Sequence, residues 1–133
     1  MSVPEDRSET VVSPALDTQT IDQLRRLQVE YANPQFLHQL VQIFTTNAPR
    51  RMEQIRTAIA ARDNRALEHT AHTLKSNCAM LGASRMAGYC HELENHGEQG
   101  AFDEARAVLA RAEAEFPRVM EELGALLTVE RAT

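Results

Sequence analysis

Apolar residues return at every third and fourth position along most of this 133-residue chain, and that spacing constrains the fold more than any other feature. A helix turns about 100° per residue, so a three-four repeat gathers apolar side chains into one stripe, whereas a strand needs strict alternation. The repeat is carried first by Ile21, Leu24 and Leu27, then by Leu37, Leu40, Val41, Phe44, Ala48, Met52, Ile55 and Ile59. Leu67, Ala71, Leu74, Cys78 and Leu81 form a third run, and Met86, Tyr89, Cys90 and Leu93 a fourth. Phe102, Ala105, Leu109, Ala112, Phe116, Met120, Leu123 and Leu127 form the fifth. Composition agrees: the chain is rich in Ala, Leu, Glu, Arg and Gln, which lose little rotamer freedom in a helix, and has no Trp, two Tyr and four Phe.

Capping residues and breakers divide these runs. Asp17 or Thr18 caps a short helix ending near Val29. Asn33-Pro34 opens a second, with Asn as cap and Pro at the first helical position; it runs to about Ala61, with a kink or brief break predicted at Pro49. Asp63 begins a third, closed by Gly82, and Ala83-Ser84 opens a fourth that ends near Glu98, bracketed by Gly97 and Gly100. The fifth spans Phe102 to Thr128, with another kink predicted at Pro117. Residues 1–15 mix Ser, Pro and charge without period and read as a disordered tail or linker; 16–129 form one domain and 130–133 a C-terminal tail. Four long amphipathic helices with short connections predict an all-α antiparallel four-helix bundle, the additional short N-terminal helix lying across one end as a lid.

A formal net charge of −5, with basic residues interspersed among acids, argues against a nucleic-acid or anionic-membrane partner, because both require a concentrated basic patch. No apolar run approaches the roughly 20 residues of a membrane helix, and the first 20 residues hold no apolar leader core, so a cytoplasmic protein is expected. Cys78 and Cys90 occupy apolar-periodic positions and read as reduced core cysteines.

The segment with chemical content is Ala71-His72-Thr73-Leu74-Lys75-Ser76-Asn77-Cys78-Ala79-Met80-Leu81-Gly82-Ala83. On a helix, His72 stands about 140° from the centre of its apolar stripe, with Lys75 and Ala79 beside it and Ser76 one turn on. An exposed imidazole is largely unprotonated near neutral pH and nucleophilic, and a neighbouring ammonium favours an incoming phosphoryl group. Phosphoryl transfer needs chiefly in-line positioning and charge neutralisation. The chain shows no phosphate-cradling Gly-rich loop, no nucleophile elbow and no acid cluster suited to magnesium, so the remaining catalytic parts would come from a partner.

This segment, followed by Cys90-His91-Glu92-Leu93-Glu94, resembles histidine-containing phosphotransfer (HPt) domains. Leu24-x-x-Leu27, Pro34-x-Phe36-Leu37 and Phe44-x-x-x-Ala48-Pro49 extend the likeness over roughly residues 17–128. The resemblance implies a four-helix bundle exposing a phosphorylated His72, with Lys75 stabilising the phosphate. Ser76 stands where the family often has Gly, and Asn77 where a small hydroxyl residue is common. Glu94 matches a position that in some members faces the histidine, where it would accept the Nδ1 hydrogen and leave Nε2 free to attack. Ser76, Asn77, Ala79 and Glu68 form the expected docking surface. The expected role is a phosphorelay carrier without turnover of its own, acting as a monomer between a hybrid sensor histidine kinase and response-regulator receiver domains. No cofactor is expected on this chain, and Mg²⁺ is expected on the partner receiver. Two other readings stand beside it: an interaction module that binds receivers without being phosphorylated, and a metal-binding bundle using His69 and His72, to which His91 and His96 add imidazoles although no carboxylate or thiol completes a tetrahedral set at familiar spacing.

Overall fold

The computed structural model describes residues 14–132, with side chains as far as Thr128, and all regular structure among the described residues is helical. Helix α1 spans Thr18–Glu30, α2 Phe36–Ala61, α3 Asn64–Met80, α4 Ser84–Gln99 and α5 Phe102–Ala132. Helix α2 packs on α3 and α5, and α4 packs on the same two, which closes a ring of four. Connections of two or three residues force consecutive members to run antiparallel, as the spacing predicts.

Local chemistry sets most boundaries. The Asp17 carboxylate accepts the Gln19 N–H at 3.1 Å and caps α1, and Asp63 accepts the Ala66 N–H at 3.1 Å and caps α3. Helix α2 starts later than the Asn33-Pro34 pair suggests. Asn33 Oδ1 accepts the Gln35 N–H and its carbonyl accepts the Phe36 N–H, so Asn33 closes a turn that precedes the helix. The orphan N–H of Leu37 is taken instead by Gln28 Oε1 of α1 at 2.8 Å, a cap from a different helix.

Helix α2 runs unbroken through Pro49, so the brief break expected there does not occur, and α5 likewise continues through Pro117. Both prolines are exposed, so each carbonyl that loses its intrahelical donor can turn to water. Helix α5 also continues to Ala132, so residues 130–132, read from sequence as a tail, are helical. Residues 1–13 of the expected N-terminal tail, and Thr133, lie outside the described residues. Ala15, assigned to that tail, belongs to the fold. It is buried, and its N–H and that of Leu16 both donate to the Glu122 carboxylate of α5, at 2.8 and 3.0 Å.

The core contains the predicted stripes of α2, α3 and α4, with Leu37, Met52, Ile55, Leu67, Leu74, Met86 and Leu93 fully buried. Truncating such a leucine to alanine costs about 2–5 kcal/mol. In α5 the stripe is rotated from the expected one: Val108 and Val119 are buried, whereas Leu109, Phe116, Met120 and Leu127 are only partly so. Helix α5 packs against both α2 and α4, and the residues facing those two helices make up its buried stripe. In α1, Ile21 and Leu24 are buried but Leu27 lies at the surface. Cys78 and Cys90 are free, buried thiols in contact across α3 and α4; the hydrogen bond from Cys90 and burial both push the Cys78 thiol up. Glu115 is a carboxylate at a core position of α5, ion-paired to Arg85 of α4 at 3.2 Å and to Arg118 at 3.0 Å.

Helix α1 is fastened to the bundle through the α3–α4 turn, where Gly82 has a φ of 77° and its carbonyl accepts the Asp17 N–H at 2.7 Å. A Cβ there would sit 2.9 Å from Thr20 Cβ and 3.1 Å from the Asp17 carbonyl oxygen. Gly82→Ala is therefore expected to destabilise by about 1–3 kcal/mol. Gly88→Ala, on an open face of α4 where an added Cβ meets nothing within 4 Å, should stabilise by about 0.5–1 kcal/mol. Urea unfolding midpoints of the two variants moving in opposite directions would check this pair; movement in the same direction would refute the account of the turn.

Candidate functional site

His72 lies in the middle of α3, on the side opposite the fully buried Leu67, Ala71, Leu74 and Cys78, with 58% of its side chain exposed. Burial of that stripe fixes the rotation of α3 and turns the imidazole outward. Glu94 reaches it from α4. One carboxylate oxygen lies 2.9 Å from His72 Nδ1, and the other accepts from Lys75 Nζ at 2.7 Å. Lys75 Nζ lies 3.5 Å from His91 Nδ1, and Asn95 Nδ2 lies 3.4 Å from His91 Nε2, so a polar chain runs from the exposed imidazole across the α3–α4 seam.

The electrostatics of this chain decide which ring nitrogen is available. The hydrogen bond from Lys75 is the largest influence on Glu94 and, with the smaller contribution of His72, holds its carboxyl below the usual carboxylate range despite partial desolvation. An ionised carboxylate only accepts hydrogen bonds. Neutral His72 must then carry its hydrogen on Nδ1, which leaves the Nε2 lone pair unspent. The structure places the Glu94 carboxylate beside Nδ1, the nitrogen that the family resemblance pairs it with. Lys75 is also at the site, but its ammonium is paired with Glu94 on the Nδ1 side of the ring.

The expected docking residues divide. Ser76 and Ala79 are exposed on the His72 side, and Ser76 Oγ donates to the His72 carbonyl at 3.3 Å. Asn77, five positions on, is about 140° round the helix from His72 and half-buried, so it stands apart from the cluster. Glu68 is half-buried and, with Arg65 and His69, borders a depression of about 380 Å³ that His72 and Glu94 also line. Arg65 has no place in the sequence reading, and His91 enters it only as a possible metal ligand. His91 precedes Glu94 by three residues and so shares its face of α4, a signal the spacing does contain. Among the described residues no group of three or more His, Cys, Asp or Glu side chains is gathered as a metal ion would need, and no helix is long and apolar enough to cross a membrane.

Comparison with known proteins gives a consistent family. Residues 39–129 match the Hpt domain. The fold is similar to that of histidine-containing phosphotransfer protein B (HptB) from Pseudomonas aeruginosa PAO1, with a TM-score of 0.75 and 30% identity over 92% of this chain and 99% of that one. It is also similar to the histidine-containing phosphotransfer protein ZmHP2 from maize, with a TM-score of 0.80 and 22% identity over 89% of this chain and 86% of that one. Comparison with curated protein sequences returns no match.

The Glu94 contacts generate a pH prediction with a definite sign. A carboxyl held low in the folded state adds stability that is present above its unfolded value of about 4.3 and is lost as pH falls through the folded value. Wild type should therefore exceed Glu94→Gln in stability at neutral pH, and the gap should close on acidification below about pH 4. Nitrogen NMR of His72 should in parallel show the Nδ1–H tautomer in wild type and a shift toward Nε2–H in Glu94→Ala; an unchanged tautomer would refute the orienting contact.

Proposed function

This chain belongs to the Hpt domain family and serves histidine phosphotransfer in a phosphorelay, and from that premise we propose that His72 is the residue that carries the phosphoryl group. The observation that carries this reading is the contact between His72 Nδ1 and Glu94 on a ring that is otherwise exposed, at 2.9 Å.

The step follows from the tautomer. Nε2 attacks the phosphorus of an aspartyl phosphate on a donor receiver domain; the N–P bond forms as the P–O bond to the aspartate breaks, and the aspartate leaves as a carboxylate. No proton has to move, because the attacking nitrogen carries none. The ring keeps its Nδ1–H and becomes cationic, and that charge develops directly against the Glu94 carboxylate, which therefore favours the transition state over the ground state. Lys75 holds Glu94 in place, and puts one positive charge within a turn of the phosphoryl oxygens. Attack by the aspartate of an acceptor receiver reverses the sequence.

The receiver supplies the aspartate and Mg²⁺, and a hybrid sensor histidine kinase feeds the first receiver. In this reading the chain is a carrier with no turnover of its own. The short side chains of Ser76 and Ala79 allow a receiver to approach His72 closely, and phosphorylation adds about −1.5 to −2 charges to that face.

Incubation with a phosphorylated receiver should give wild type an acid-labile, alkali-stable phosphoryl group and leave His72→Gln unlabelled. Lys75→Ala should still be labelled, at a rate lower by about 10- to 100-fold. Equal labelling of wild type and His72→Gln would overturn the assignment. No label on wild type with several cognate receivers would leave a module that acts by binding alone.

A further inference from the structure

A groove of about 580 Å³ lies between the C-terminal half of α2 and the N-terminal half of α3, lined by Arg50, Arg51, Thr57 and the small side chains of Ala58, Ala61 and Ala66. Arg51 is its anomaly. The side chain is half-buried, its Nε is withdrawn from solvent without a hydrogen-bond partner, and among the described residues nothing is paired with its guanidinium. A polar N–H taken out of water without an acceptor is costly and uncommon.

Glu53 and Asp63 also line the groove, but among the described residues neither is within ion-pairing distance of Arg51. Glu53 is held by Arg56 Nη1 at 2.6 Å, and Asp63 is occupied as the cap of α3. Arg50 gives one N–H to the neutral side chain of Asn47 at 3.0 Å, so its charge also stands uncompensated. Two guanidinium groups lining one groove match the oxygens of a phosphate, to which arginine can give parallel hydrogen bonds, and the Thr57 hydroxyl adds a donor. A volume of about 580 Å³ is far more than a bare phosphate fills and falls among those that hold small organic ligands, roughly 300–1,000 Å³. The alanines leave a surface without polar atoms or bulk, suited to a flat ring.

We propose that this groove binds a phosphate monoester carrying a flat ring, the mononucleotide class, with the phosphate on Arg50 and Arg51 and the ring over Ala58, Ala61 and Ala66. His69 lines both this groove and the depression beside His72, so the two hollows are neighbours. The binding site does not rest on the role of His72 given above.

The test is an NMR titration of the full chain with adenosine monophosphate, with adenosine and inorganic phosphate as separate arms, following the Arg51 Nε–H signal and the backbone amides of 50–70. Adenosine monophosphate should give saturable shifts of the Arg51 Nε–H, and each fragment alone should bind at least about tenfold more weakly. Arg51→Gln removes the phosphate contact and Ala61→Leu fills the ring space from an exposed position; each should weaken binding about tenfold or more with the amide spectrum otherwise preserved. His72→Gln should bind as wild type does, which separates this site from the phosphotransfer reading. The proposal fails if no saturable shift appears up to about 10 mM, if inorganic phosphate binds as well as the nucleotide, or if Arg51→Gln binds like wild type.

Discussion

Close packing of α3 against α4 is the constraint on which both the architecture and the site depend. The seam is built from Leu67, Ala71, Leu74 and Cys78 on one side and Met86, Cys90 and Leu93 on the other, all with no exposed surface. At its open end Gly97 allows the backbones to approach so nearly that an added Cβ would lie 2.8 Å from the Glu68 nitrogen. Interiors are packed like organic solids, so a seam of this kind leaves neither helix free to roll. Two consequences follow from one set of contacts: His72 must face outward from α3, and Glu94, one position from Leu93, must meet it across the interface.

That arrangement links stability to chemistry. The Glu94 carboxylate is shared between a lysine and a histidine of the neighbouring helix, so the pair that fastens the exposed edge of the seam also sets which ring nitrogen of the neutral imidazole carries the hydrogen. Lys75 holds the Glu94 carboxylate by a hydrogen bond of 2.7 Å, so its ammonium is directed to the carboxylate in this structure. Exposed ion pairs are worth little on their own, whereas here a second, orienting hydrogen bond converts the pair into control of a tautomer.

The N-terminal helix is held by connections of a different kind. Asp17 on the Gly82 carbonyl, Glu122 on the Ala15 and Leu16 N–H groups, and Gln28 on Leu37 are hydrogen bonds between distant parts of the chain, each satisfying a backbone group that no local partner could reach. They turn a short helix with only two buried apolar residues, Ile21 and Leu24, into an integral cover of the bundle. His69, meanwhile, stands on the ridge between the His72 depression and the arginine-lined groove, so two chemically distinct hollows share one wall.

Much of this could be read without coordinates. Helical periodicity is a local property, so the three-four spacing in α2, α3 and α4 identified the buried stripes and, by subtraction, the outward position of His72 with Lys75 one turn away. Caps at Asp17, Asp63 and Gly100 are local too. Where the structure departs from the sequence pattern, a distant partner is involved: Gln28 caps the later start of α2, Glu122 holds the buried Ala15, and packing against α2 and α4 places Val108 and Val119 of α5 in the core. The position of Glu94 was suggested by family resemblance, but its distance to Nδ1, and the inclusion of His91, depend on how two helices separated by a tight turn are set against each other. The unpaired Arg51 likewise has no signature in sequence, because isolation from a counter-charge is a property of everything that surrounds a side chain. The amino-acid order thus determined which residues lie on which face of which helix, since that follows from a fixed rotation per residue; only the tertiary structure decided which faces meet, since interhelical distance is set by side-chain packing summed over the whole interface.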